Sequence, residues 1–395
     1  MRVLSLSTLF PSPQRPAFGK FVASQMEAVA ARGDVELVVV NPLGMPPWPL
    51  SRREPYAAWN ANPAQSERAG ITVHHPRFIT LPLIGGDSNP ARIARTVLPL
   101  ARRLHAERAF DVIDAQFFFP DGPAAMRIAA ALALPFSIKA RGSDIHYWGE
   151  RPKALAQMQA AARASGGMLV VSDSLRGDMA ALGMERGKIA VHYTGLDHAR
   201  FHPQPRAAAR AALAGLLGLA APDGAPLFVC TGALIAIKGQ SLAIEALVSV
   251  PLAHLALAGS GADEALLRRL AAQHGVADRV HFLGQVPHEA LPTLLSAADA
   301  MVLPSEREGL ANAWIEALAC GTPLVIPDIG GAREVVADED AGRIAARDPQ
   351  AIAEALNSLL AAAPPTVKVA AHAARFSWEA NAAQLVDHWC RLAGR

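Results

Sequence analysis

Cysteine is scarce in this chain of 395 residues: Cys230, Cys320 and Cys390 stand far apart. Two of them fall in apolar strand or helix settings. They read as small core residues, and a reducing cytoplasm is implied. A charge excess of one sign is also lacking. Lys plus Arg number 37 against 35 Asp plus Glu, with no basic run and no basic stripe interleaved with aromatics, so nucleic acid is not an expected partner. Long hydrophobic runs are missing too, because each apolar stretch breaks at Pro, Gly or charge well short of a membrane span. The opening MRVLSLSTLFPSP holds only a short apolar strand and no cleavage-site pattern. A cytoplasmic chain is expected, with peripheral contact at the inner face of a membrane left open. The 13 histidines are scattered without paired ligand spacing, and no G-x-S-x-G elbow is present to support hydrolase chemistry.

What is present is apolar: 51% of residues are hydrophobic. At this length two cores, and so two domains, are expected. Short runs rich in Val, Ile and Leu recur between amphipathic stretches: Val3 to Leu6, Val35 to Val40, Val112 to Ala115, Phe136 to Lys139 and Met168 to Val171. A second series comprises Leu227 to Cys230, Leu255 to Ala258, Val280 to Leu283, Ala300 to Leu303 and Leu324 to Ile326. This alternation predicts α/β architecture with two doubly wound parallel sheets. Between the series, residues 202–226 carry Pro and Gly punctuation and an Ala-rich helical pattern without a strand, which places the boundary near residue 197. The tail FSWEANAAQLVDHWCRL sets Trp378, Leu385, Trp389 and Leu392 near helical spacing, with Ser377 as candidate cap. Residues 45–66, with Trp48 and Trp59, read as an irregular loop.

The segment PSEREGLANAWIEALACGTPLVIPDIGGAREVV, from Pro304 to Val336, places Glu308 and Glu316 around a predicted strand, loop and helix. Met301, Val302 and Leu303 predict a buried parallel strand, and Asn312 an N-cap for the helix that buries Trp314, Ile315, Leu318 and Ala319. Glu308 then lies in the loop and Glu316 about one turn into the helix. The amides of Leu310, Ala311 and Asn312, with the helix dipole, favour an anion, and the two carboxylates accept hydrogen bonds from hydroxyls. Surface acids of no function would also produce such a pair. The E-x7-E spacing, its EALACGTPLV continuation and the GGAREVV loop, however, resemble the signature of the family 4 retaining glycosyltransferases of the GT-B fold. That resemblance implies two Rossmann-like domains facing across a cleft, residues 1–196 on the acceptor side and residues 197–376 binding the nucleotide sugar. The terminal helix, residues 377–395, would return to the first domain. It also implies that Glu308 lies near the transferred sugar and Glu316 near the ribose.

Other segments extend the resemblance. After VLSLS, Gly19 opens a helix with Lys20 beside it, where the family commonly has a Gly pair. After PFSIKA, the run RGSDI puts Arg141, Gly142, Ser143 and Asp144 at a strand end, where doubly wound folds place their sites. Arg141 stands where many relatives have histidine, and Asp144 serves either the donor sugar or the cap of the next turn. PLFVCTGALIAIKGQ resembles the strand and loop that present cations to the diphosphate: Lys238 matches the family Lys, Gly232 lies in the loop, and Ala233 takes the place of an Arg. Gly259 and Gly261 are expected to wall the nucleotide pocket. They form no dinucleotide fingerprint, since Glu264 stands where a third Gly would. The backbone around Gln285 and Val286 is implied to meet the base. Asp338, Glu339 and Asp340 form the only Asp-x-Asp expected to interest a metal, but they read as a solvated acidic turn.

Taken together these segments imply sugar transfer from a UDP- or GDP-type donor to a glycan or lipid-linked acceptor, with retention and without metal or other cofactor. Glu308, Lys238 and Asp144 would be the catalytic set. FPSPQRPAFGKFV, RGSDI and EGLANAWIEALACG look closest to bacterial enzymes of surface polysaccharide assembly, of the teichuronic acid type. A nucleotide-sugar epimerase of the same fold, and a catalytically silent homologue whose changes at Ala233 and Arg141 removed activity, are the rival readings.

Overall fold

The computed structural model describes residues 1–16, 18–81, 85–219 and 224–395. They fold as two compact units, Met1–Gly195 with Trp378–Arg395, and Leu196–Ser377.

The first unit holds β1 (Arg2–Leu6), β2 (Glu36–Val40), β3 (Leu43–Met45), β4 (Gln65–Arg68), β5 (Ile71–His74), β6 (Arg77–Ile79), β7 (Val112–Ala115), β8 (Phe136–Ala140), β9 (Gly167–Val170) and β10 (Ile189–Val191). Eight of these form one sheet in the order β10-β9-β8-β7-β1-β2-β5-β4. All neighbours in it are parallel except β4 and β5. β1, β7, β8 and β9 are buried throughout, as a sheet covered on both faces requires. β3 and β6 pair separately, so residues 45–66 are less irregular than their prolines suggest: they also contain a helical turn, Tyr56–Asn60, and the start of β4.

The second unit holds β11 (Leu227–Thr231), β12 (His254–Ala258), β13 (Val280–Gly284), β14 (Ala300–Val302), β15 (Leu324–Ile326) and β16 (Gly342–Ile344). They form a six-stranded, all-parallel sheet in the order β13-β12-β11-β14-β15-β16. The Ala-rich pattern forms the helix Arg206–Leu217; within the stretch 202–226, residues 220–223 lie outside the described residues, as does Ala17 in the earlier FPSPQRPAFGKFV motif.

In each large sheet the winding reverses once. The chain goes outward from β1 to β2 and β5, then returns to the other side of β1 with β7; it goes from β11 to β12 and β13, then returns beside β11 with β14. The loops leaving the two central neighbours therefore diverge, opening a crevice at the carboxyl ends of β1 and β7 and of β11 and β14.

The last helix, Trp378–Leu392, buries Ala382, Leu385, Val386 and Trp389 in the core of the first unit, with Val3, Val22, Met26 and Leu169. Trp389 Nε1 also donates to the buried Asp114 carboxylate at 3.1 Å.

Candidate active site

The crevice of the second unit is where the chemistry-bearing residues gather. After β11 the chain makes a tight turn at Ala236–Lys238, and after β14 it runs through Ser305 to Glu308. The two loops are stitched together: Glu306 N donates to Ile237 O at 2.7 Å, and a β-carbon at Gly239 would collide with Pro304 O. That stitching brings Lys238 Nζ within 2.5 Å of Glu308 Oε1, with side chains only 24% and 12% exposed. The site thus holds a shielded, charge-assisted pair whose net charge is zero. Gly331 N donates to Gly309 O at 2.7 Å, which fixes the same loop from the GGAREVV side.

The helix Asn312–Ala319 leaves from this loop. Asn312 is not its N-cap. Ala311 occupies that position with extended dihedrals and no side-chain bond, and exposed Asn312 is the first helical residue. Consequently no side chain occupies the first amides, and among the described residues those of Leu310, Ala311 and Asn312 have no protein acceptor. They are orphan donors of a helix start. Two buried hydroxyls at the same strand ends, Thr231 Oγ1 and Ser305 Oγ, likewise lack a partner.

Glu316 lies one turn into the helix. Burial pushes its carboxyl up to about 7. His288, which no motif in the sequence singles out, lies beside it: His288 Nε2 is 3.9 Å from Glu316 Oε1. Because Arg200 donates to His288 Nδ1 at 2.6 Å, the ring proton is assigned to Nε2, facing the carboxyl. Nothing about an isolated histidine in VPHEA signals this placement. Val286, two residues earlier, is half-buried, and Gln285 reaches Ser260 Oγ at 3.3 Å.

The glycines of the neighbouring loops permit close backbone approach. Gly259 has φ 155°, and a β-carbon there would collide with Gly232 O; one at Gly261 would meet Leu234 O. Gly232, Gly259 and Gly261 therefore let the loops after β11 and β12 lie against each other.

In the first unit the singled-out residues follow β1 and β8. Gly19 has φ 70°, and a β-carbon there would strike Leu9 O, so this glycine seats the helix Lys20–Ala31 against the end of the first strand loop. Lys20 is exposed. Arg141, expected on the donor side, is held by neighbours within this unit. Its guanidinium donates to Gln116 O at 2.8 Å, to Gln25 Oε1 at 3.0 Å and to the Gln116 side chain, and lies over Phe21. Burial lowers it to about 10, so it stays charged, with Nε and Nη2 engaged by Gln116 and Gln25.

Asp144, the catalytic candidate of this unit, is held by backbone amides. It is fully buried and accepts four backbone amides: Phe118 N at 2.7 Å on one oxygen, and Arg141, Gly142 and Ile145 N at 2.9 to 3.1 Å on the other. A carboxylate so saturated caps and positions its loop. His146 faces Asp178 at 3.0 Å.

Behind Arg141 runs a polar chain that periodicity does not reveal. Gln25 donates to Asn381 Oδ1 at 2.8 Å, His192 Nε2 meets Asn381 O at 2.9 Å, and Lys139 Nζ donates to His192 Nδ1 at 2.8 Å. Lys139 is buried in a strand, and burial moves its pKa far down. Cys230 and Cys320 are buried and their thiols pushed up to about 12, which leaves them inert.

Asp338 and Asp340 lie in an exposed turn, paired with His372 and Lys368 at 3.2 Å each. Among the described residues no group of three His, Cys, Asp or Glu side chains is placed to hold a metal, and no helix is long and apolar enough to cross a membrane.

The chain matches the family model Glycosyl transferases group 1 over residues 218–388 and Glycosyltransferase Family 4 over residues 19–200. Among curated proteins it is 28% identical over 365 residues to the "Putative teichuronic acid biosynthesis glycosyltransferase TuaC" of Bacillus subtilis (strain 168), covering 90% of this chain and 88% of that one. It is 37% identical over 200 residues to a D-inositol 3-phosphate glycosyltransferase of Mycolicibacterium gilvum, covering 49% of this chain but only 44% of the relative. The fold is similar along the whole chain to a sucrose-phosphate synthase from Thermosynechococcus elongatus, with TM-score 0.77, 20% identity and all of both chains covered. It is also similar to Anabaena Alr3699/HepE solved with UDP, with TM-score 0.75, 20% identity and coverage of 99% and 100%. Two Rossmann-like halves of this kind make the GT-B fold.

Proposed function

For a chain that belongs to glycosyltransferase family 4, and is therefore a glycosyltransferase, we propose transfer of a sugar from a nucleotide-diphosphate donor to an acceptor hydroxyl, with retention at the anomeric carbon. The second unit is the donor side and the first the acceptor side. The observation that carries this reading is the crevice after β11 and β14. There a shielded Lys238–Glu308 pair, three orphan amides and an uncapped helix start converge where winding reverses. A diphosphate satisfies the amides and draws Lys238 away from Glu308. The freed carboxylate then accepts from a donor-sugar hydroxyl, and Glu316 accepts from the ribose.

In the transfer the bond from the anomeric carbon to the phosphate oxygen breaks and one to the acceptor oxygen forms. Negative charge grows on the departing diphosphate, and Lys238 with the amides of Leu310, Ala311 and Asn312 offsets it. No covalent nucleophile and no metal take part. The names of the curated relatives support an acceptor in bacterial surface polysaccharide or glycoconjugate assembly. The similar Anabaena Alr3699/HepE structures in complex with UDP and UDP-glucose support a nucleotide-sugar donor.

The test is a donor screen by thermal shift, followed by NMR of the product from the donor that binds. A ligand at about a hundred times its Kd adds roughly 2.7 kcal/mol of stability. The expected product keeps the donor's anomeric configuration and forms fully in excess chelator. An inverted product refutes retention. Loss of transfer in chelator with recovery on added Mg or Mn refutes the electrostatic assignment.

A further inference from the structure

A cavity of about 260 Å3 lies wholly within the first unit, on the carboxyl side of β1 and β2. Arg15, Phe18, Trp59, Asn41, Ser12 and Phe78 are among the residues that line it. The Arg15 guanidinium carbon sits 3.7 Å from the centre of the Phe18 ring and 4.5 Å from that of Trp59. Two aromatic faces hold the fork in place, yet among the described residues the side chain makes no hydrogen bond and no ion pair, and no carboxylate lines the cavity. Burial lowers the pKa of Arg15, as expected for a cation partly stripped of water and not compensated.

The polar atoms around it are also incomplete. Asn41 is buried and turns its Nδ2 to Phe10 O at 3.0 Å, which leaves Oδ1 without a partner. Ser12 Oγ is buried and unpartnered as well. Buried polar atoms without partners are uncommon, and several around one cavity indicate a missing polar occupant. Its volume lies just under the roughly 300–1,000 Å3 of drug-sized ligand sites, which suits one sugar ring.

We propose that this cavity binds an anionic sugar unit of the acceptor, its carboxylate or phosphate against the Arg15 fork and its hydroxyls on Asn41 Oδ1 and Ser12 Oγ. The apolar face of the ring lies along Phe18 and Trp59. An oxyanion suits a guanidinium whose faces are already stacked, because its remaining donors lie in its plane and match two oxygens at once. Assigning the unit to the acceptor rests on the transferase reading; the anion preference does not.

The experiment titrates the full chain, without nucleotide, with D-glucuronate, glucose 6-phosphate and D-glucose, following binding by saturation-transfer NMR. At least one anion is expected to bind about tenfold or more tightly than glucose, the scale of one charge-assisted contact. Tighter glucuronate assigns a uronate, tighter glucose 6-phosphate a phosphate ester, and parity a site that takes either oxyanion. Arg15→Gln should abolish the preference while UDP binding persists, and Trp59→Ala should weaken all three probes while preserving it. Equal affinity of wild type for glucose and both anions overturns the proposal, as does a preference that survives Arg15→Gln. Loss of UDP binding by the wild type would instead refute the donor site and leave this cavity's preference standing.

Discussion

Lys238 and Glu308 neutralise one another before any ligand arrives, so each competes with the substrate group the other is to meet. Glu308→Gln should therefore tighten UDP binding by roughly threefold to tenfold, the scale of a partly shielded ion pair, while removing most transfer. Titration calorimetry beside a turnover assay checks it; weaker UDP binding in the variant would place Glu308 on the nucleotide. Lys238→Ala should lower turnover by at least roughly a hundredfold, the loss expected from one preorganised charge stabiliser.

Glu316 makes a pH prediction with a definite sign. Its carboxyl is pushed from 4.5 up to about 7 by burial, so between those values the folded state holds more protons than the unfolded one, and stability falls as pH rises through the window. Replacing it with Gln should leave stability at pH 4.5 nearly unchanged and raise it at pH 8 by about 2 to 3 kcal/mol. Denaturation curves of wild type and variant at the two pH values read this directly, and the same difference between the two proteins at both pH values contradicts it. Nucleotide-sugar binding by the wild type should tighten as pH rises through about 7, since the ionised carboxylate is the form that accepts from ribose hydroxyls.

At the scale of elements, the parallel strands are legible because burial on both faces writes them as unbroken apolar runs. Every strand of the two series read from the sequence is present. β3, β4, β5, β6, β10 and β16 escape such a reading: QSER alternates across an edge, and LGM, RFI, IAV and GRI are too short for any period to show. The E-x7-E segment is legible as strand, loop and helix, but its cap is not. Asn is a strong capping residue by type, yet backbone dihedrals put Ala311 at the cap and leave the amides open. Arg141 and Asp144 resemble ligand groups by their place at a strand end; their partners Gln25, Gln116 and Phe118 come from distant segments that no local pattern links to them. The loops of the second unit depend on close packing that glycine alone permits. Gly259→Ala should cost about 1 to 3 kcal/mol through collision with Gly232 O and an unfavourable φ. A denaturant midpoint unchanged from wild type would contradict that packing.

At the scale of the whole molecule, one polypeptide builds two sheets that reverse their winding at their centres, and its last helix belongs to the core of the first. Trp389 is fully buried there and holds Asp114. Trp389→Ala should destabilise the first unit by about 3 to 5 kcal/mol. Denaturation followed by segment-resolved proteolysis should show residues 1–195 opening early; early opening of residues 196–377 instead would contradict the assignment of that helix.

The central claim is that the donor's nucleotide diphosphate sits where β11 and β14 diverge, on amides that no group among the described residues fills. Hydrogen exchange of the full chain, with and without saturating UDP or GDP, measures those amides. The account predicts that the nucleotide that binds slows exchange of residues 310–316 most, with smaller protection at 232–239 and 259–261. Binding without any protection at 310–316 would contradict it.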